Sequence, residues 1–307
     1  MVIKIILLFS LSIFLYTLYI RVFKKLGQYE REEGLDSHKS KNGTVTMGGI
    51  LFSLIPLFFI SYNEKTIPII ITSILYAILG FIDDLLIIIK KNNTGIKALP
   101  KLIIQIIIAG IAFFLYLNSD LPTILDLHFF KIEIKWVFGL LMLGVLSSST
   151  NAFNLVDGVD GLCSGLSIII HIAFMIIAFH KLEFEIFNLL LYTLIPLFVF
   201  WCLNYPKAYL FMGDTGSLYL GSLYGIIAIY LNSLLAFIIL ASLFIFETLS
   251  VIMQVSYYKR TNGKRIFKMA PFHHHLEALG YKELTVDFIF YLIQIILVII
   301  VFYFSLF

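Results

Sequence analysis

The sequence predicts an all-α polytopic membrane protein, and three observations predict it. Of 307 residues, 60% are hydrophobic and 13% charged, with a mean hydropathy of +0.98. A soluble domain carries about one quarter charged residues, so a water-soluble globule is excluded; disorder, which needs low hydrophobicity, is excluded with it. The apolar residues also fall in long runs, and a hydrocarbon core of ~30 Å takes ~20 helical residues to cross. Ten runs can be read, at 2–23, 47–62, 67–89, 102–117, 136–152, 162–180, 185–203, 216–231, 233–256 and 286–306, and they make 1–307 a single integral membrane domain. The net charge of +3 is too small for a nucleic-acid binder. Cys163 and Cys202 both sit in apolar runs and build no disulfide framework.

The first run lacks a small-residue cleavage site and reads as a retained helix rather than a signal peptide. Alternating the ten runs across the bilayer leaves Lys4, Lys65, Lys131, Lys135 and Lys181 on one side and the other 17 of the 22 basic residues on the opposite side. Lysine and arginine favour the cytoplasmic side, so both termini are expected outside. On the longest outer connection, 118–135, Lys131 to Lys135 alternate polar and apolar, the signal of a small outer β-hairpin.

The acidic residues locate the chemistry. Asp83 and Asp84 close the third run, Asp157 and Asp160 follow the fifth, and Asp214 follows the seventh, all on the expected cytoplasmic side. One aspartate at a helix end is ordinarily a solvated terminus. Five on one face with Gly-rich neighbours point to a site, because ionisable groups set against apolar spans are costly and usually functional. Adjacent helical side chains diverge by about 100°, so Asp83 and Asp84 are expected to split, one to the site and one to a basic partner. Asn151, Asn154 and Asp157 recur every three residues and are expected near one helical face, offering amides and a carboxylate to a nucleobase or sugar. Gly158 and Gly161 then allow a tight turn. A calcium loop starting at Asp157 is excluded, because its third and twelfth positions are Val159 and Ile168.

In MGDTGS, residues 212–217, Asp214 lies between two glycines at the start of a helix, and a carboxylate beside free helical N–H groups suits a Mg²⁺–phosphate pair. The competing reading is a simple cap and turn. In KRIFKMAPFHHHLEALG, residues 264–280, His273, His274 and His275 fan around a helix and cannot all bind one metal. They are suited instead to donating hydrogen bonds to phosphate oxygens, assisted by Arg265 and Lys268. Lys39, Lys41, Gly43, Thr44, Thr46, Gly48 and Gly49 form a basic, Gly-rich entrance to the second run, fit for a phosphate or simply for positive-inside anchoring. Glu247, deep in the ninth run, needs a partner and is expected to bond a neighbouring helix. His171 and His180 are expected to be packed or interfacial.

From Gly27 to Tyr291 these blocks, in the order GQYEREEGLDSHKSKNGTVTMGG, GFIDDL, NAFNLVDGVDGL, FMGDTGS and KMAPFHHHLEALG, resemble the phospho-N-acetylmuramoyl-pentapeptide transferase family, within the polyprenyl-phosphate N-acetylhexosamine-1-phosphate transferases. The aspartate motifs carry the superfamily, and APFHHHLE favours this member. The resemblance implies ten helices with both ends out, in the plasma membrane of a bacterium, with the active site on the cytoplasmic side and a homodimer as one assembly. It implies transfer of phospho-MurNAc-pentapeptide from UDP-MurNAc-pentapeptide to undecaprenyl phosphate, forming lipid I and releasing UMP. By the same resemblance Asp214 matches the Mg²⁺ aspartate, and Asp83 the carboxylate that deprotonates or positions the lipid phosphate, with Asp84 beside it. Asn154, Asp157, Gly158, Asp160 and Asn204 match residues around the nucleoside and sugar. Phe211 matches an aromatic that stacks on uracil, Lys41 and Thr46 line the same pocket, and His274 and His275 lie near the diphosphate.

Three positions depart from the family pattern: Ile87 stands where a lysine is usual, Val45 where a proline is, and Ile289 where an arginine is common. Lys90 or Lys91, a turn later, is the substitute for the first. Transfer of GlcNAc-1-phosphate is the rival within the superfamily, and a two-step route through an aspartyl-phosphate is the rival mechanism. A secondary transporter is the rival from another class, but it would place its ionisable residues near the bilayer midplane in repeated halves.

Overall fold

The computed structural model describes residues 2–24, 44–90, 95–119, 121–126, 131–132 and 135–307. Lys39, Lys41, Gly43 and Lys91 lie outside the described residues. The described chain is a bundle of helices: α1 (Val2–Phe23), α2 (Gly49–Leu54, continued by a 3₁₀ turn Ile55–Phe58), α3 (Thr66–Lys90), α4 (Ala98–Leu117), α5 (Lys135–Val156), α6 (Leu162–His180), α7 (Phe184–Asn204), α8 (Gly213–Tyr230), α9 (Leu234–Leu240), α10 (Ser242–Arg260), α11 (Phe272–Ala278) and α12 (Glu283–Tyr303). Two short strands, β1 (Leu125–Asp126) and β2 (Lys131–Ile132), pair antiparallel between α4 and α5, as the alternation at 131–135 predicts.

Seven of these helices are long and apolar enough to cross a membrane, and an eighth span forms if α9 and α10, bent by 62°, count as one. The chain is therefore a multi-pass membrane protein. Two of the ten expected runs fall short by this measure among the described residues. The run at 47–62 yields only the short apolar helix Gly49–Phe58. The run at 216–231 becomes α8, whose residues from Thr215 to Tyr230 are all buried. A helix enclosed on every side needs no lipid-facing stripe, which is why its glycines, serines and tyrosines are tolerated.

Around α8 pack α3 and α5 most extensively, then α2. α1, α4 and α12 keep most of their surface outward, with apolar side chains such as Ile3, Phe14, Ile107, Phe114, Ile299 and Tyr303 exposed, as lipid contact requires. The approach of α3 to α8 depends on Gly80: a Cβ there would meet the backbone of Asp214 and Thr215. That contact sets the end of α3, with Asp83 and Asp84, against the first turn of α8.

Candidate active site

Five segments meet at one end of the bundle. α3 carries Asp83 and Asp84 about two turns before its end, α4 has Lys101 in its first turn, α5 runs into the turn at Asp157, α8 has Asp214 in its first turn, and α11 carries the histidines. The neighbouring aspartates of α3 separate as their helical divergence demands. Asp84 turns to α8 and serves as its cap: its Oδ1 accepts the Asp214 N–H at 3.0 Å, and its Oδ2 accepts the Thr215 N–H at 2.9 Å and the Thr215 hydroxyl at 2.7 Å. A carboxylate at a helix N-terminus satisfies N–H groups that no helical carbonyl reaches and faces the positive end of the macrodipole. Both oxygens of Asp84 are thereby committed. Thr215 acts as a double donor to it.

Asp83 turns to the site. Its Oδ1 accepts the backbone N–H of Ile96, and its Oδ2 receives the Lys101 ammonium at 2.9 Å. A Cβ on Gly95 would collide with this carboxylate, so the loop after α3 needs glycine there. The same ammonium lies 2.6 Å from Asp214 Oδ2, while Asp214 Oδ1 accepts from Asn154 Nδ2 at 2.7 Å. Asn154 also donates to Ser217 Oγ at 3.1 Å. Lys101 does not stand out in the sequence. Lys101 reads as one more basic residue in a cytoplasmic connection, and only the fold sets it between Asp83 and Asp214. Lys90, the candidate substitute for the lysine missing at 87, reaches the carbonyl of Gly95 at 3.5 Å.

Asp157 lies in the turn after α5, part-buried beside the start of α8. Burial pushes its carboxyl well above the usual carboxylate range, the charges of Asp214, Asp84 and Asp160 add to that, and the Gly213 N–H opposes it. Asn151 does not join this face. It donates to Gln105 Oε1 at 2.8 Å and to its own helix at Ser147 O at 2.7 Å. Three residues advance about 300° around a helix, so each step slips by about 60° and the common face is lost over two steps. Asp160 and Asn204 brace the loops: Asp160 Oδ2 accepts the Ala208 N–H at 2.9 Å, and Asn204 Oδ1 accepts the Gly161 N–H at 2.9 Å. The segments of Thr46 and Phe211 do run together, with Phe211 N–H donating to Val45 O at 2.8 Å and Gly48 N–H to Phe211 O at 2.9 Å.

The three histidines fan as expected. His273 and His274 turn their Nε2 atoms to Gly158, where a Cβ would stand 3.0 and 3.1 Å from them. His275 turns away: its Nδ1 accepts the Lys268 N–H at 3.1 Å, and its ring packs against Phe267 and Phe272. Glu247 bonds a neighbouring element as expected, accepting the N–H groups of Phe272 and His273 at the start of α11. His171 is packed in the core between Tyr224 and the carbonyl of Leu190.

Among the described residues no cluster of three or more acidic, histidine or cysteine side chains could hold a metal ion. Mg²⁺ asks for less, typically one or two carboxylates with phosphate oxygens and water. Asp214 and Asp83 fit that demand, because both already direct an oxygen at a single cation, the Lys101 ammonium.

Comparison with known proteins identifies the family. Residues 66–232 match the family model described as glycosyl transferase family 4. Phospho-N-acetylmuramoyl-pentapeptide-transferase of Staphylococcus saprophyticus is 39% identical over 284 residues, covering 89% of this chain and 88% of that protein. The proteins of the same name from Staphylococcus aureus and Geobacillus thermodenitrificans are 40% and 36% identical over 285 and 287 residues, covering 89% and 90% of this chain and 88% of each relative. The chain belongs to the phospho-N-acetylmuramoyl-pentapeptide transferase family.

Proposed function

We propose that the chain transfers phospho-MurNAc-pentapeptide from UDP-MurNAc-pentapeptide to undecaprenyl phosphate, forming lipid I and releasing UMP in peptidoglycan synthesis. The observation that carries the mechanism is the convergence of Asp83, Lys101, Asn154 and Asp214, drawn from four helices, at one end of an apolar bundle. One reactant is lipid-borne and the other water-borne, so their phosphates can meet only at a membrane boundary. The count of basic residues favours the cytoplasmic face for that end, and with it both termini outside.

In this reading an oxygen of the lipid phosphate attacks the β-phosphorus of the nucleotide sugar. The bond from that phosphorus to the bridging oxygen breaks, and UMP departs with the electron pair. Asp83 faces the acceptor phosphate and orients it. Mg²⁺, held by Asp214 with Asp83 beside it, supplies neutralisation of the crowded phosphate charge when bound. Lys101 contributes a fixed ammonium to the same charge, and Asn154 keeps Asp214 in place. Asp84 acts at one remove, by fixing the helix end on which Asp214 stands. Asp157 and Gly158 lie beside the nucleotide sugar, with His274 over them and Thr46 and Phe211 along one wall. Direct attack is favoured because Asp83 is already engaged by Lys101 and Ile96, a poor state for a covalent nucleophile.

The test supplies purified protein with Mg²⁺, undecaprenyl phosphate and either UDP-MurNAc-pentapeptide or UDP-GlcNAc, and measures UMP. Release with the first substrate and not the second is expected. Release with UDP-GlcNAc alone would move the chain to the rival specificity of its superfamily.

A further inference from the structure

The histidine helix α11 is only seven residues long and is held from inside the bundle. Glu247, fully buried in α10, accepts the backbone N–H of Phe272 at 2.5 Å and of His273 at 3.1 Å. Its Oε1 also stands 3.5 Å from His273 Nδ1. A carboxylate buried in a membrane helix is costly and retained for a purpose; here it fixes where α11 begins. Three residues beyond His274, on the same face of that helix, Glu277 sets its Oε2 2.7 Å from His274 Nδ1, with side chains only 5% and 14% exposed. An ionised carboxylate can only accept, so the proton between them sits on Nδ1. Nε2 is then the ring atom presented to Gly158, which has no side chain to intrude.

We propose that Glu277 is a positioning residue for the transfer, acting through His274. Its carboxylate holds the ring in one tautomer and one orientation, with Nε2 over the Gly158 turn, while Glu247 anchors the helix that carries both. The proposal rests on the transferase reading, because it gives His274 work at the phosphates beside that turn. A ring held in place before the reaction stabilises the transition state more than the bound substrate, so its loss falls on kcat rather than KM.

The experiment uses the full chain with UDP-MurNAc-pentapeptide, undecaprenyl phosphate and Mg²⁺, and reads kcat, KM and thermal unfolding. Glu277→Met keeps the volume and removes the acceptor; kcat should fall about 10- to 100-fold, by analogy with loss of the group that orients a metal-ligating histidine, with KM and melting temperature near wild type. Glu277→Gln keeps an acceptor oxygen and should recover most of that loss. In a His274→Gln background the Met substitution should add little, because the two residues act as one unit. Full activity of Glu277→Met, a loss in KM alone, no recovery with Gln, or losses that multiply in the double variant would each overturn the positioning role. A wild-type chain that releases no UMP would overturn the transferase reading and this inference together.

Discussion

The two ends of α8 are stabilised by different means. At its first turn the partners come from other helices: Asp84 caps it, Asn154 and Lys101 hold Asp214, and Lys101 carries Asp83 as well. Near its last turn the charged side chains are more exposed. Lys181 donates to the Leu231 carbonyl at 2.8 Å, and nearby Lys65 pairs with Glu183 at 2.7 Å through side chains 36% and 28% exposed. A cavity of about 290 Å³, lined by Tyr116, Lys181, Glu183 and Tyr230 among others, lies at that end. Charges removed from water depend on their partners, so breaking one pair leaves an uncompensated charge. Charges in water depend on them little. The contrast teaches where substitution will hurt.

The largest effect should come from Asp214→Asn, which removes the charge on which Lys101 and Asn154 converge. UMP release should fall by about 10²–10³-fold or more, the scale of losing a group that stabilises transition-state charge, with thermal unfolding close to wild type. Substantial residual activity would break the site as drawn. Next comes Lys101→Met, which leaves Asp83 and Asp214 without their shared cation. We expect activity to drop about 10²-fold, with a loss of about 3–5 kcal/mol in stability before Mg²⁺ is added. Added Mg²⁺ should restore part of that stability, as read by thermal shift.

The pair Asp83→Asn and Asp84→Asn sharpens the comparison within one helix turn. Asp83→Asn should lose activity with a smaller loss of stability than Lys101→Met, because Lys101 keeps Asp214 as a partner. Asp84→Asn should lower stability by about 1–3 kcal/mol, because an amide set against two N–H donors leaves one of them unmet; its activity loss should follow from that. Identical behaviour of the two variants would contradict the division. The smallest effect belongs to the other end. Lys65→Met should change stability by no more than about 1 kcal/mol and leave UMP release unchanged.

Much of the site is legible in the sequence. The divergence of adjacent helical residues forces Asp83 and Asp84 apart, the fan of a helix forces one histidine away from the other two, and a deep Glu247 needs a partner. Their directions are not legible. Nothing local tells that Asp84 faces the start of a helix 130 residues later, or that His275 and not His273 turns outward. Lys101 leaves no signal at all, since a lysine near a span end has an ordinary role as an anchor.

By itself, then, the sequence determined the membrane class and the gathering of aspartates at helix ends on one side, because hydropathy and helical geometry are properties of neighbours along the chain. The tertiary structure alone decided which carboxylate caps α8 and which turns to Lys101, and that this lysine joins two of them. Those outcomes follow from close approach between helices distant in sequence, such as the one Gly80 permits between α3 and α8, and no local rule encodes a distance across the bundle.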